Sequence, residues 1–348
     1  MTTRIPDTPP TILPLGHEVN RPLWSVMIPV YNCISYLTET LKSVLKQDRG
    51  LQWMQIEVVD DCSTDGDVFA LVQEIGKGRI KYFRQEINLG SLRNFETCIN
   101  RANGHYVHLL HGDDLVEPGY YNKIEELFTN HPEAGAAFTD FNYIDHLGNT
   151  IAIRKRDLQI RQGIIPEFLY KIARKQLVQP PAIVVKRSVY EELGSFYAVH
   201  FGEDWEMWIR IASKFPVAYS PECLASYRVA HGIGISHNSF LTGQNIKDMT
   251  KVISISQQYL PDDKKAYFKK AASAYYAQFC IRIANSLLLG NKEAALTQVR
   301  GAWNLHKSFT IALWIIRFFL MDILRYKQIE NKIRQSKPNR YEKNVLSF

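Results

Sequence analysis

Tyr106-Val-His-Leu-Leu-His-Gly-Asp-Asp-Leu-Val-Glu-Pro118 sets the frame for the whole chain. A short apolar run stops at two adjacent carboxylates, Asp113 and Asp114. The run reads as a buried strand, and the turn formers Gly112 and Pro118 bracket the residues after it. Two carboxylates at the exposed end of a buried strand repel one another, so something has to offset their charge. A divalent cation carrying a phosphorylated substrate does that, because magnesium takes one or two protein carboxylates and completes its shell with phosphate and water. A helix N-cap is the other use of an aspartate at this kind of position. The pair alone leaves both readings open.

The same punctuation recurs on the N-terminal side. Trp24-Ser-Val-Met-Ile-Pro-Val-Tyr-Asn32 reads as a buried strand, followed by a helix with Leu37, Leu41, Val44 and Leu45 on one face. Gln55-Ile-Glu-Val-Val59 is a second strand running into Asp60-Asp-Cys-Ser-Thr-Asp-Gly66. A helix from Val68 to Ile75, a strand over Ile80-Lys-Tyr-Phe83 and a loop Asn88-Leu-Gly-Ser-Leu-Arg-Asn94 that opens a helix through Asn103 complete the run. Strands alternating with helices predict an α/β fold with a mostly parallel sheet flanked by helices. Ligands of such sheets sit beyond the carboxyl ends of the strands. Asn32, Asp60, Asp61, Asp113 and Asp114 all fall there.

Downstream, Ala134-Gly-Ala-Ala-Phe-Thr139, Ala182-Ile-Val-Val-Lys186 and Val217-Ala-Tyr219 read as further strands, and Glu203-Asp-Trp-Glu-Met-Trp-Ile-Arg-Ile211 as the start of a helix whose acidic first turn suits the dipole. From about Asn245 helix formers take over. The expected organisation is an extended leader over 1–22, a sheet domain over 23–240 and a helical C-terminal region over 241–348. The most apolar segment, 308–324, contains Arg317 and Asp322 and is short for a bilayer span. With Lys327, Lys332, Arg334, Lys337, Arg340 and Lys343 after it, it suits either the face of an anionic membrane or packing on a domain.

The 348 residues, 46% of them hydrophobic, suffice for a large domain with an appendage or for two domains. A net charge of +7 favours anionic partners. With no dense basic run or recognition motif, nucleic acid ranks last among them. Five scattered cysteines with no C-x-x-C pair fit a reduced, cytoplasmic setting better than a disulfide framework or zinc site. The N-terminal decapeptide has no apolar signal core.

Five motifs in order carry a resemblance over about residues 24–240: Ser25-Val-Met-Ile-Pro-Val-Tyr-Asn32, Val58-Val-Asp-Asp-Cys-Ser-Thr-Asp65, Asn88-Leu-Gly-Ser-Leu-Arg-Asn94, Gly112-Asp-Asp114 with Pro118, and Gly202-Glu-Asp-Trp205. Together they resemble family 2 glycosyltransferases of the GT-A fold. The resemblance implies an inverting enzyme that takes a sugar from a nucleotide-diphosphate donor, UDP favoured, to a saccharide or lipid-linked acceptor, with a divalent cation (Mn2+ or Mg2+). It implies nucleotide contacts at Pro29, Tyr31, Asn32, Asp60, Asp61, Asn88, Gly90, Arg93 and Asp113, with the Asp61 carboxylate suited to accept an N–H of the base. Asp114 is the expected metal ligand, with His231 a further donor and the glycines after it hinges of a closing loop. Asp204 matches the general base that a poor sugar nucleophile requires. Glu203, Trp205 and Gln179 fall on the acceptor side, although Trp205 equally suits a core. His111 stands where the family pattern commonly has an acid, which leaves open a softer metal such as manganese or a histidine without ligand role.

Two alternatives belong to other classes. A non-catalytic nucleotide-sugar-binding scaffold at a membrane is motivated by the acid replaced at His111. A nucleotidyltransferase shares a similar sheet, but Tyr31-Asn-Cys-Ile-Ser35 stands where that class carries a glycine-rich basic loop.

Overall fold

The computed structural model describes residues 3–16, 21–153, 161–229 and 235–324. His231 and the glycines at 232 and 234 lie outside the described residues, as does the basic sequence from 325 onward. Two compact units emerge: Met1–Leu169 with Leu177–Val229, and Tyr170–Gln176 with Ala230–Phe348.

The first unit opens with β1 (Trp24–Val30), α1 (Ile34–Leu45), β2 (Met54–Asp60), α2 (Val68–Gly76) and β3 (Lys81–Arg84). It continues through α3 (Ser91–Arg101), β4 (Tyr106–Leu109), β5 (Leu115–Val116), α4 (Tyr120–Asn130), β6 (Ala136–Ile144), β7 (Thr150–Ile153) and β8 (Gly163–Ile164). The short helix α5 (Phe168–Ile172) precedes β9 (Ile183–Lys186), α6 (Arg187–Leu193), α7 (Glu203–Ala212) and β10 (Val217–Arg228). All the strands join one sheet ordered β3-β2-β1-β4-β9-β6-β10-β5, with β7 on β6 and β8 on β10. Strands β3, β2, β1 and β4 are parallel, as are β6 and β10, whereas β9 runs antiparallel between β4 and β6.

β1 and β2 are buried at every position; β1 is accordingly almost wholly apolar, whereas β2 carries Gln55 and Glu57 inside the fold. Their polar members are satisfied internally: Ser25 Oγ donates to Gln55 Oε1 (2.6 Å), and Gln55 Nε2 to Glu57 Oε2 (3.0 Å). Leu37, Leu41 and Val44 form the buried face of α1, as their spacing predicts. Gly104 lets the chain re-enter the sheet, since a Cβ there would lie 2.4 Å from the Trp24 carbonyl carbon. The parallel strands all end on one edge, and the chain leaves them through Tyr31–Asn32, Asp60–Asp61 and His111–Asp114.

The second unit contains α8 (Ile235–Thr242), α9 (Gln244–Ser256), α10 (Asp262–Leu287), α11 (Lys292–Leu305) and α12 (Phe309–Ile323). Ala277, Cys280, Ile281 and Ala284 of α10 pack with Ala295, Val299 and Ala302 of α11 and with Ile311 and Phe318 of α12. Trp314 and Ile315 pack partly against this core, whereas among the described residues Phe309, Leu313, Ile316, Leu320 and Ile323 stand exposed at intervals of three and four residues. No described helix is long and apolar enough to cross a membrane.

Candidate active site

The turn between β4 and β5 carries the aspartate pair. Gly112 N donates to Pro29 O (3.2 Å) and Gly112 O accepts from Thr40 Oγ1 (3.0 Å), so the turn is pinned to β1 and α1. A side chain at Gly112 would put its Cβ 2.9 Å from Cys33 Sγ and 3.0 Å from Val30 Cγ2. The next helix, α4, starts at Tyr120 with Gly119 in the cap position, so neither Asp113 nor Asp114 caps a helix. This removes the capping alternative. Asp114 is 1% exposed. Its Oδ1 accepts the Arg228 N–H (2.8 Å), while its Oδ2 is buried with no hydrogen-bond partner among the described residues. Burial, then the charge of Asp113, pushes the Asp114 carboxyl well above the ordinary range.

Arg228, at the end of β10, fixes this turn from behind. Its Nε donates to Asp113 O (2.8 Å), Nη1 to Asp145 O (2.8 Å) and Nη2 to Glu39 Oε2 (2.7 Å), and its guanidinium lies 4.7 Å above the Tyr36 ring. The sequence marks Arg228 only as the residue after Tyr227. Its partners are 83 to 189 residues away in the chain.

His111, Asp113 and Asp114 bring one ligand atom each to within 4.8 Å of one another. The His111 ring stacks on Phe95 (centroids 5.2 Å, planes 12° apart). Burial pushes its imidazole down, against the pull of Asp113. Two carboxylates, one of them with a buried oxygen that has no partner among the described residues, and an imidazole are a donor set that fits a divalent cation, and the imidazole admits manganese beside magnesium. His108, three residues earlier, is structural: its ring contacts Tyr121 Oη (3.3 Å) and Pro181 O (3.1 Å), and burial pushes it down to about 3.

The ends of β1 and β2 separate two neighbouring aspartates. Asp60 is fully buried, and its carboxylate accepts from Ser63 N (2.9 Å), Tyr82 Oη (2.7 Å) and Arg84. Through these bonds it holds the β2–α2 turn. Asp61 points the other way and accepts from Leu89 N (2.7 Å), Gly90 N (2.8 Å) and Asn88 Nδ2 (3.0 Å), which shapes the loop entering α3. Burial raises its pKa, and the Leu89 and Gly90 N–H groups oppose that rise. Asn32 adopts φ +50, a left-handed conformation that asparagine tolerates, and its Oδ1 accepts Thr64 N (2.8 Å). Tyr31 beside it is 49% exposed, a large ring presented at this strand end. Pro29 is buried in β1 and acts through its carbonyl on Gly112. Arg93 donates Nε to Thr3 O (2.9 Å) and pairs with Glu96 (2.7 Å).

Glu203 and Asp204 open α7, with Gly202 at φ +86 before them. Asp204 Oδ1 accepts the Trp205 N–H (2.7 Å). Glu203, Asp204 and Trp208 share an apolar recess with His111 and Phe95, and burial together with the charges of Asp114, Asp113 and Asp204 pushes the Tyr227 phenol well above its usual range. The carboxylate expected as base and the aspartate pair therefore face one region. Trp205, expected on the acceptor side, is fully buried, so it belongs to the core and presents no ring to a sugar. Gln179 precedes a 3₁₀ turn over Pro180–Ala182, and Pro180 lines the same recess. His231 lies outside the described residues.

The profile of glycosyl transferase family 2 matches residues 25–194. TuaG of Bacillus subtilis (strain 168), whose name places it in teichuronic acid biosynthesis, is 29% identical over 63% of this chain and 84% of its own length. An uncharacterized glycosyltransferase of Rickettsia conorii is 29% identical over 79% of this chain but only 41% of its own length. Among solved structures, residues 1–349 of Staphylococcus aureus TarS in complex with UDP-GlcNAc superpose with a TM-score of 0.61 at 17% identity, over 91% of this chain and 93% of that one. The mannosyltransferase PcManGT of Pyrobaculum calidifontis, in complex with GDP-Man and Mn2+, gives 0.56 at 18% identity over 91% and 90%. With its ordered motifs, its sheet and its strand-end carboxylates, the chain matches glycosyl transferase family 2 over residues 25–194 and has the GT-A fold.

Proposed function

We propose that this protein is an inverting, metal-dependent glycosyltransferase that moves a sugar from a UDP-sugar, in preference to a GDP- or dTDP-sugar, to a saccharide or lipid-linked acceptor in polysaccharide or glycan assembly. The observation that carries the proposal is Asp114: a buried carboxylate, one oxygen tied to Arg228 N, the other without a partner and beside Asp113 and His111. Asp114 would hold the cation with His111 and Asp113 as neighbouring donors. What a divalent cation supplies there is positive charge for the diphosphate leaving group. The UDP-GlcNAc complex of TarS and the teichuronic acid role in the name of TuaG support the donor and the setting.

Asp204 takes the proton from the acceptor hydroxyl. The hydroxyl oxygen then forms its bond to the anomeric carbon on the face opposite the diphosphate, the carbon–oxygen bond to the diphosphate breaks with its electron pair, and the configuration inverts. Asp61 and the Asn88–Gly90 loop hold the base, Tyr31 offers a face for stacking, and Glu203, Gln179 and Trp208 border the acceptor. The exposed stripe of α12 supports contact with the anionic inner face of the cytoplasmic membrane. Replacing Asp204 by Asn tests the assignment: transfer should fall by at least about a hundredfold while UDP affinity stays at the wild-type value. Full activity in that variant would remove Asp204 from the reaction.

A further inference from the structure

Residues 3–13, within the extended leader expected over 1–22, are a strap fixed along the first unit. Ala198 N donates to Pro6 O (2.9 Å), Ser195 N to Pro10 O (2.8 Å) and Arg187 Nη2 to Leu13 O (3.0 Å). Pro6 and Ile12 are buried. Gly194, at φ +78, permits the close approach: a Cβ there would lie 2.7 Å from Pro10 O. At its beginning the strap meets the loop that enters α3. Thr3 O accepts from Arg93 Nε (2.9 Å), and Arg4 Nη2 donates to Asn88 Oδ1. Arg4 Nε stands 3.1 Å from the position a Gly90 Cβ would take. The other end of the Asn88 amide donates to Asp61 Oδ2 (3.0 Å), so guanidinium, amide and carboxylate form one chain, and the Arg4 charge acts on Asp61.

A surface arginine bonded in this way adds little to stability, yet two backbone bonds, two arginine side chains donating to strap carbonyls and two buried side chains hold it in place. The chemistry of the edge it completes is specific. An ionised carboxylate has about four acceptor sites, and three N–H groups already occupy Asp61, which leaves room for one more donor. A guanidinium carries five donors and no acceptor, and the Asn88 bond uses one of them. An acceptor site flanked by donors matches a base that presents an N–H beside a carbonyl oxygen.

We propose that Arg4 is a specificity-determining residue for the donor nucleobase: it recognises the exocyclic carbonyl of a uracil-like base whose N–H is taken by Asp61. This rests on the nucleotide-sugar reading of the site. Cytosine presents to Asp61 a ring nitrogen without hydrogen, acceptor against acceptor, and in place of the O4 carbonyl an amino group toward Arg4, donor against donor.

The test is calorimetric titration of the full chain with UDP and with CDP in the presence of Mn2+, for the wild type, Arg4→Ala and Arg4→Lys. Arg4→Ala should weaken UDP binding about tenfold, the effect of one such contact, change CDP binding by less than about twofold and leave the melting temperature unchanged; Arg4→Lys should restore part of the loss. Unchanged UDP affinity in Arg4→Ala, with UDP still bound by the wild type, overturns the role of Arg4 and leaves the donor reading standing. Equal weakening of UDP and CDP shows a strap that only shapes the loop, and tighter UDP binding shows one that blocks the site; either overturns the proposal. A wild type that binds no nucleotide overturns both the proposal and the donor reading beneath it.

Discussion

Replacing Arg228 by alanine should unsettle the aspartate turn and the domain together. The side chain is fully buried, and its three donors meet Asp113 O, Asp145 O and Glu39 Oε2. Alanine leaves the Asp113 carbonyl without its donor, at a cost of about 1–2 kcal/mol because the residue is partly accessible and water relieves some of the penalty, whereas the Asp145 carbonyl keeps the Gly148 N–H (3.1 Å) and loses only about 0.5–1 kcal/mol. The Glu39 carboxylate is 51% exposed, so its ion pair counts for less than about 1 kcal/mol. The sum, with the contact to Tyr36 lost, is about 2–4 kcal/mol. For a domain of about 200 residues that lowers the melting temperature by roughly 4–16 °C. The backbone bond from Arg228 N to Asp114 survives the substitution, so Asp114 keeps one anchor while the Asp113 carbonyl loses its own. Arg228→Lys retains the charge but not the fork and should recover about half of the loss. Differential scanning calorimetry or thermal fluorescence reads the shift directly. A melting temperature within about 2 °C of wild type in Arg228→Ala would refute the view that this arginine holds the turn.

Two further outcomes rest on single features. Burial lowers the His108 pKa to about 3 from an unfolded value near 6.5; the folded state thus prefers the neutral ring, its contribution is complete above pH 6.5, and stability falls as pH drops toward 3, by at most about 5 kcal/mol over the window. Urea midpoints measured between pH 7 and 4 should fall more steeply for wild type than for His108→Gln, and parallel slopes would contradict this. The exposed stripe of α12 should carry the protein to the top of a flotation gradient with phosphatidylglycerol vesicles, and Leu313→Glu with Ile316→Glu should abolish that without loss of helix content by circular dichroism; a wild type that stays at the bottom removes the membrane contact.

The parallel half of the sheet is legible in the sequence because β1 is an almost wholly apolar run and β2 and β4 are short β-formers with few polar members, all three stopping at polar turns. Their strand ends gather the motif residues, so the neighbourhood of the site is legible too. The division of labour within it is not. Asp60 and Asp61 are adjacent in the chain, but successive strand residues point to opposite faces; one is buried under Tyr82 and Arg84, the other turned to the Asn88 loop. Trp205 looks like a sugar platform from its place beside Asp204, yet α7 is buried from Trp205 through Arg210, with Glu206 and Arg210 paired inside it (2.9 Å), so no aromatic of that turn is left outside by its register alone. Arg228 and the strap act through contacts 80 to 190 residues away in the chain, beyond the reach of any local pattern.

Whether Asp114 ligates a cation at a nucleotide site is decided by titrating Mn2+ into the protein with saturating UDP and following free Mn2+ by electron paramagnetic resonance. Wild type should remove one equivalent of the free-ion signal, and Asp114→Asn, which keeps the side-chain shape and the acceptor for Arg228 N, should weaken Mn2+ binding at least about tenfold. Mn2+ binding of wild-type strength in Asp114→Asn would contradict the assignment.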